Sequence, residues 1–150
     1  MQTMLLLLFF VPALHAEAPI WLESPAQAEK ASKSSGKPIL VDLYAPWCYS
    51  CYYMEEHVLS KEAFAKASQR LVLLKSDVDR DEGSALKEKY GVIALPSYVL
   101  VSPRGAVLGR IAGEQTEADF LRQLEVLLKG AGQDLTDQAV LALQQRLAAG

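Results

Sequence analysis

The chain has 150 residues, of which 51% are hydrophobic and 22% are charged, and its formal net charge is −3. This length and composition predict one globular domain with enough apolar residues for a single core. The mild acidic excess excludes the basic surface that nucleic-acid-binding proteins use, so we expect no nucleic-acid partner.

The first sixteen residues differ from the rest of the chain. Residues 4–11 read MLLLLFFV, and no Asp, Glu, Lys or Arg occurs before Glu17. An apolar run of this length followed by small residues is typical of a secretory signal peptide. It is too short for a bilayer span, which needs roughly 20 apolar residues. We therefore expect residues 1–16 to be a cleaved signal peptide and the mature protein to be exported. A buried N-terminal helix or strand is the alternative, because no Lys or Arg precedes the apolar run.

The predicted elements that follow alternate between helices and strands. Ser24 and Pro25 begin a helix that ends near Gly36. After it we predict a strand over 39–44, a helix over 48–59, a helix capped by Ser60, a strand over 71–74, a helix over 84–90, a hairpin of strands over 97–101 and 106–111, and a helix capped by Thr116. This order predicts an α/β fold for residues 17–129, with a central mixed β-sheet flanked by helices on both faces.

The C-terminal stretch departs from this alternation. Residues 130–132 read Gly-Ala-Gly and predict a flexible linker. Residues 134–149 then predict an extra amphipathic helix, with Leu135, Ala139, Leu143 and Leu147 on one stripe. This helix either packs on the surface of the domain or docks a partner, and the pattern does not distinguish the two.

The chain has two cysteines, Cys48 and Cys51. Two are too few for a framework of structural disulfides, and a four-ligand cysteine zinc site is excluded as well. Cys48 lies where a strand gives way to a helix, and the N–H groups of the helix terminus favour its thiolate. Cys51 lies one turn further on, close enough to form a disulfide with Cys48 and to resolve a mixed disulfide. We therefore expect redox chemistry, with Cys48 as the exposed nucleophile and Cys51 as the shielded resolving cysteine.

Two other interpretations of the cysteine pair stay open. In the first the pair is an inert disulfide or two buried thiols, although a C-x-x-C motif at a strand–helix junction favours a redox pair. In the second the pair binds Cu(I), because thiolates suit this ion and Met54 is near in sequence. No further cluster of Cys, His or Met completes a copper site. We therefore expect no cofactor and no metal.

Two carboxylates are candidates for proton transfer. Asp42 interrupts the apolar strand over 39–43, where burial raises the pKa of a carboxyl group. Such an acid near Cys51 can take the proton of the resolving thiol. Glu55 lies four residues after Cys51, on the same helix face, and can share this role. The alternatives are a solvated Asp42 at a sheet edge and an exposed Glu55 with no part in the chemistry.

Leu95 and Pro96 directly precede the strand predicted from Ser97. Proline obstructs the interior of a sheet, and a cis peptide bond in a turn that faces the cysteines explains its position. The backbone of that turn can pair with an extended substrate chain. Leu95, Pro96 and Trp47 are therefore our candidate substrate-binding residues. A trans proline at the start of a strand is the alternative.

These motifs together resemble the thioredoxin superfamily over roughly residues 21–129. They are Asp42, the sequence Trp47-Cys48-Tyr49-Ser50-Cys51 and Pro96 before the last hairpin. The sequence KPILVDLYA at residues 37–45 is similar to the C-terminal periplasmic domain of DsbD-type thiol:disulfide interchange proteins. The resemblance implies a thioredoxin fold, with Cys48 as nucleophile, Cys51 as resolving cysteine, Asp42 and Glu55 as neighbouring acids and Pro96 as a cis-proline.

The resemblance also implies a periplasmic thiol:disulfide oxidoreductase that acts on disulfide-containing periplasmic proteins. A separate membrane protein of DsbD type is then expected to supply electrons. Tyr49 and Ser50 replace the Gly-Pro of cytosolic thioredoxins, and the His between the cysteines of strong oxidants is missing. Tyr52 follows Cys51 where a basic residue is common. We expect a disulfide reductase or electron carrier; the alternatives are a disulfide-forming oxidase and a non-enzymatic Cu(I)-binding or chaperone module.

Overall fold

The computed structural model describes residues 17–148, without the side chains at 133–143 and 147–148. The predicted signal peptide, residues 1–16, lies outside the described residues. In chain order the elements are β1 (Trp21–Leu22), α1 (Pro25–Ser35), β2 (Ile39–Tyr44), α2 (Tyr49–Met54), a π-helical segment (Glu55–Leu59), α3 (Glu62–Ser68), β3 (Val72–Asp77), α4 (Asp81–Lys89), β4 (Ser97–Val101), β5 (Val107–Ala112) and α5 (Glu117–Ala148).

The five strands form one mixed sheet in the order β1-β3-β2-β4-β5. The central strand β2 is parallel to β3 and antiparallel to β4, and β5 pairs antiparallel with β4. The predicted mixed sheet is confirmed, and β2 and β4 have the predicted bounds. The edge strand β1 was not predicted, because two residues are too few to show a period.

Successive side chains of β2 point to opposite faces of the sheet. Ile39, Val41 and Leu43 belong to an apolar cluster with residues of α1 and α4. Leu40 belongs to a second cluster, on the other face, with residues of α3 and α5. Asp42 has the same parity as Leu40 and points to this second face. The predicted arrangement of helices on both faces is therefore confirmed.

The helix predicted over 48–59 changes type part-way along. It is α-helical to Met54, and the next five residues are π-helical. The N–H of Ser60 donates to the carbonyl oxygen of Glu55 at 3.0 Å, which is the i→i+5 bond of a π-helix. Side-chain periodicity does not reveal this change, because one wider turn shifts the apolar positions by a single residue.

The predicted linker at residues 130–132 is wrong, because α5 runs without a break from Glu117 to Ala148. Glycine in a helix costs about 1 kcal/mol relative to alanine, which weakens a helix without ending it. Ala131, between the two glycines, is buried, and this contact favours the helical path. The side chains of the predicted C-terminal stripe lie outside the described residues. Among the helices of residues 17–148, none is both long and apolar enough to cross a bilayer.

Gly83 allows α4 to approach the end of β3 closely. A Cβ atom at this position would overlap the backbone carbonyl group of Asp77. The same carbonyl oxygen accepts a hydrogen bond from the N–H of Arg80 at 3.1 Å, so the β3–α4 turn is compact. The turn carries Asp79, whose contact with the candidate site is described below.

We expect Gly83→Ala to lower the free energy of unfolding by about 1–3 kcal/mol, because the new methyl group displaces backbone. Ser84→Ala on the exposed face of α4 is the matched control and is expected to change it by less than about 0.5 kcal/mol. Urea unfolding of both variants measures the difference. Equal stabilities would show that α4 moves away from β3 without cost.

Candidate active site

Cys48 and Cys51 form a disulfide just after β2, with their Cα atoms 5.3 Å apart. Cys48 is the N-cap residue of α2, and the backbone N–H of Cys51 donates to its Sγ atom at 3.2 Å. The sulfur of Cys48 is therefore the one that accepts a hydrogen bond from the helix terminus. Such a contact favours negative charge on that sulfur when the disulfide opens.

Exposure does not distinguish the two cysteines. Cys48 is 6% exposed and Cys51 is 8% exposed, so the expectation of an exposed Cys48 is wrong for this disulfide form. The reason is packing, because both cysteines belong to the apolar cluster between the sheet and helices α1 and α4. Leu95 of the predicted substrate-binding turn packs against the same cluster.

Asp42 lies in the middle of the sheet, between Lys75 of β3 and Tyr98 of β4. It is 3% exposed, and its Oδ1 atom has no hydrogen-bond partner among the described residues. Burial raises the pKa of Asp42 to about 7; the positive charge of Lys75 opposes this rise and the negative charge of Glu55 adds to it. The prediction of a buried carboxyl group with a raised pKa is confirmed.

Lys75 is a member of the site that the sequence analysis missed. Its Nζ atom lies 2.7 Å from Oε2 of Glu55 and 4.8 Å from the centre of the Tyr44 ring. A cavity of about 110 Å³ is lined by Lys75, Glu55 and Asp42 together with Cys51. The structure thus brings both predicted acids to the cavity that Cys51, the predicted resolving cysteine, also lines. Lys75 interrupts the apolar run of β3 as Asp42 interrupts that of β2, and this parallel was the available signal.

The candidate substrate-binding residues lie on two loops. The Leu95–Pro96 peptide bond is cis, as predicted. Among the described residues, the backbone of Leu95 makes no hydrogen bond, whereas the carbonyl oxygen of Pro96 accepts one from Gly113. The Trp47 indole N–H donates to Oδ2 of Asp79 at 2.7 Å, a contact that ties this loop to the β3–α4 turn. The role of Asp79 was not evident from the sequence, because 32 residues separate the two partners.

Large apolar side chains are exposed around the disulfide, on the loop before it and the first turn of α2, and on the loop before the cis-proline. They are Trp47, Tyr49, Tyr52 and Ile93, and we call them the apolar rim. Tyr52 also donates its hydroxyl hydrogen bond to the carbonyl oxygen of Pro46 at 2.9 Å, which holds its ring over the loop. Exposed apolar groups of this kind mark surfaces that contact other proteins.

Met54, the residue that raised the copper alternative, points away from the cysteines. It is fully buried in the apolar cluster on the opposite face of the sheet. Its Sδ atom accepts a hydrogen bond from the backbone N–H of Gln115 at 3.2 Å. Met54 is therefore not placed to complete a Cu(I) site with Cys48 and Cys51.

Residues 20–103 match the Thioredoxin-like family. The chain belongs to this family. Its CxxC pair lies at disulfide distance, which is consistent with thiol–disulfide exchange.

Curated relatives include the thiol:disulfide interchange protein DsbD 2 of Pseudomonas aeruginosa, which is 34% identical over 112 residues. That match covers 70% of this chain and 19% of the relative. DsbD of Pectobacterium atrosepticum is 32% identical over 104 residues, a match that covers 67% of this chain and 18% of the relative. The chain thus spans about a fifth of the length of these relatives.

Solved structures with the same fold include an oxidoreductase named DsbH, with a TM-score of 0.70 and 25% identity over 81% of this chain and 92% of that one. A thioredoxin from Thermus thermophilus has a TM-score of 0.70 and 27% identity over 77% and 92% of the two chains. The oxidised C-terminal domain of Neisseria meningitidis DsbD has a TM-score of 0.59 and 28% identity over 67% and 89%. The predicted thioredoxin fold is confirmed.

The raised pKa of Asp42 predicts how stability changes with pH. Folded Asp42 keeps its proton up to about pH 7, whereas the unfolded residue loses it near its ordinary value of 3.8. The unfolded state therefore binds fewer protons in this window, and Asp42 makes the folded protein less stable as the pH rises through it.

We expect Asp42→Asn to remove this fall in the stability of the folded protein with rising pH. The oxidised variant should gain stability over the wild type between about pH 4 and pH 7, reaching on the order of 4 kcal/mol above that window. Urea unfolding at several pH values measures the difference, with the exposed Asp81→Asn as control. A difference that stays constant with pH would mean that Asp42 titrates normally in the folded protein.

Proposed function

We propose that this protein is an exported, periplasmic disulfide reductase that carries electrons to oxidised client proteins. The proposal rests on one observation: a disulfide at a helix N-terminus shares a cavity with a buried carboxyl group. Membership of the Thioredoxin-like family and similarity to DsbD proteins support it. The apolar rim and the free backbone of Leu95 supply a surface on which an extended client segment can pair.

The proposed reaction has two exchange steps. The Cys48 thiolate of the reduced protein attacks one sulfur of a client disulfide; a mixed disulfide forms, and the other client sulfur leaves as a thiolate. Cys51 then attacks the Sγ atom of Cys48, while its thiol proton passes to the Asp42 carboxylate. The bond between Cys48 and the client breaks, and the client departs with two reduced sulfurs. The protein keeps the Cys48–Cys51 disulfide, so two electrons have moved to the client.

Asp42 suits the role of proton acceptor because its pKa is about 7. A general base works best when its pKa lies near the pH of the reaction, since it then exists in both protonation states. Glu55 forms an ion pair with Lys75 at the edge of the same cavity. Its negative charge adds to the rise in the pKa of Asp42. We therefore assign proton transfer to Asp42 and a supporting electrostatic role to Glu55.

The direction of electron flow follows from how little the site stabilises a thiolate. Strong oxidants stabilise their reduced thiolate heavily. Here the Sγ atom of Cys48 accepts one backbone hydrogen bond, from Cys51. Tyr49 and Ser50 carry no positive charge, and a helix terminus is worth about 0.3–1 kcal/mol at an exposed site and up to about 2 kcal/mol at a partly buried one, which lowers the pKa of a thiol by roughly one unit. The protein should therefore give up electrons readily and need a separate donor, for which a membrane protein of DsbD type is our proposal.

We expect the potential of the Cys48–Cys51 pair to lie nearer to that of thioredoxin, about −270 mV, than to that of DsbA, about −120 mV. Equilibration with glutathione measures it. Ser50→His places a cation between the cysteines and should favour the dithiol at least tenfold, a shift of about 30 mV toward the oxidants. Ser50→Ala is the control. A wild-type value near −120 mV would support the disulfide-forming oxidase instead.

The roles of the two cysteines are tested by trapping. Cys51→Ala should accumulate mixed disulfides with client proteins through Cys48, because the resolving thiol is missing. Cys48→Ala should accumulate far fewer, since Cys51 does not accept the helix N–H that activates Cys48. Non-reducing gels of periplasmic extracts compare the variants. More adducts in Cys48→Ala would reverse the assignment.

A further inference from the structure

Asp42 lines two cavities, one on the side of the disulfide and one on the side of α3. The front cavity, of about 110 Å³, is lined by Tyr44, Ala45, Cys51 and Tyr52 as well as Asp42, Glu55 and Lys75. The rear cavity, of about 460 Å³, is lined by the same Asp42, Glu55 and Lys75 but otherwise by Ala18, Pro19, Trp21, Leu59, Ser60, Glu62 and Ala65. The Glu55–Lys75 ion pair therefore borders both cavities, and Asp42 is reached from two directions.

The front cavity lies under the surface on which a client docks. Tyr52 lines this cavity and also belongs to the apolar rim. Its hydroxyl group is held by the carbonyl oxygen of Pro46, so the ring stays over the loop before Cys48. A protein that contacts the apolar rim thus covers the opening through which water reaches Cys51.

The rear cavity lies away from that surface. None of its described lining residues belongs to residues 45–52, which carry the disulfide, or to residues 93–97, which carry the cis-proline. Its walls come from the edge strand β1, the end of the π-helical segment and α3, and Ala18 and Ser60 at its margin are exposed. A client on the apolar rim leaves this route to solvent open.

The second exchange step needs proton movement while the client is still attached. Cys51 loses its thiol proton to Asp42 as it attacks Cys48, and Asp42 must lose that proton before the next cycle. In the reverse step, in which a donor reduces the disulfide, Asp42 must supply a proton to Cys51. Cys51 gives up its proton beneath the bound client, and Asp42 can accept that proton only as a carboxylate. Because the pKa of Asp42 is about 7, part of the molecules carry a protonated Asp42 when the client docks, and these must first lose that proton to solvent while the client is in place.

We propose that Asp42 exchanges its proton with solvent through the rear cavity while a client or donor protein covers the front one. This inference rests on the proposed reductase function. Its geometric basis is the buried, unpartnered Oδ1 atom of Asp42 between the two cavities. The path crosses no part of the docking surface, so catalysis and docking do not compete for the same opening.

Charged and titratable groups face Asp42 from three packed elements. Lys75 extends from β3, Glu55 from the π-helical segment and Tyr98 from β4, and the charges of Lys75 and Glu55 act on Asp42 in opposite directions. Glu62 of α3 lines the rear cavity further out. Because Lys75 and Glu55 are bonded to each other, the margin between the cavities is polar and favours water over apolar occupants.

A substitution that fills the rear cavity tests the proposal. Ala65 is buried on α3 and lines the cavity, and Ala63→Phe on the exposed face of the same helix is the matched control for Ala65→Phe. Each reduced protein is mixed with one of two substrates, insulin as a protein disulfide or dithiobis-nitrobenzoate as a small disulfide. Acid quenching and mass spectrometry then give the lifetime of the mixed disulfide.

We expect Ala65→Phe to lengthen the lifetime of the insulin adduct about tenfold, less than the roughly hundredfold or more that general acid–base catalysis contributes, because the Asp42 carboxyl group itself stays in place. With the small disulfide the front cavity stays open, so the lifetime should change by less than about twofold. Ala63→Phe should match the wild type with both substrates. An unchanged insulin adduct, or equal lengthening with both substrates, would overturn the proposal.

A second variant covers the case in which Ala65→Phe fails to fold, and the two substrates separate failure of the proton route from failure of the reductase function. Where Ala65→Phe does not unfold cooperatively, Ser60→Phe at the margin of the cavity replaces it, with the same expected outcomes. A wild-type protein that reduces neither substrate would refute the proposed reductase function itself. Reduction of both substrates without a selective effect of the filled cavity would refute only the proton route.

Discussion

The pairing of β2 with a strand on each side fixes the position of the buried carboxyl group of the site. Asp42 is held between Lys75 of β3 and Tyr98 of β4, so its carboxyl group is taken out of water in one defined place. The same strand ends four residues before Cys48, which places the disulfide at the carboxyl end of the central strand, where Cys51 and Asp42 line one cavity. The cavity between them follows from this register, and a one-residue slip would move Asp42 to the other face.

The burial of Asp42 lowers the stability of the folded protein, but it supplies the carboxyl group that the proposed proton transfer needs. An unsatisfied buried polar group costs about 1–3 kcal/mol, and a buried charge costs more. A protein selected only for stability would place an apolar residue at this position, as β2 does at its neighbours Val41 and Leu43. Lys75 offsets part of the cost when the carboxyl group is charged, and its bond to Glu55 keeps it in place. The three groups therefore form one electrostatic unit, of which the sequence analysis identified two members.

The sequence predicted features that rest on local patterns and missed those that depend on distant contacts. The bounds of β2, the cis peptide at Pro96 and the burial of Asp42 follow from alternation, proline chemistry and an acid within an apolar run. The bond between Trp47 and Asp79 joins residues from different parts of the chain, so no local pattern indicates it. In α5 a local pattern led to a wrong prediction. The glycines at 130 and 132 indicate a break in the helix, but the packing of the helix keeps it continuous. The exposure expected for Cys48 failed because a C-x-x-C motif does not show how deeply the closed disulfide packs.

The pair of cysteines three positions apart also decides how the chain acquires its disulfide. Four cysteines allow three pairings and six allow fifteen, whereas Cys48 and Cys51, as the only two in this chain, allow one. Within a single molecule, oxidation therefore yields no wrong isomer, and no shuffling step is needed before the fold is complete. The proposed exchange reaction would use the same bond, so a cycle that oxidises the protein would return it to the one disulfide form that its cysteines allow.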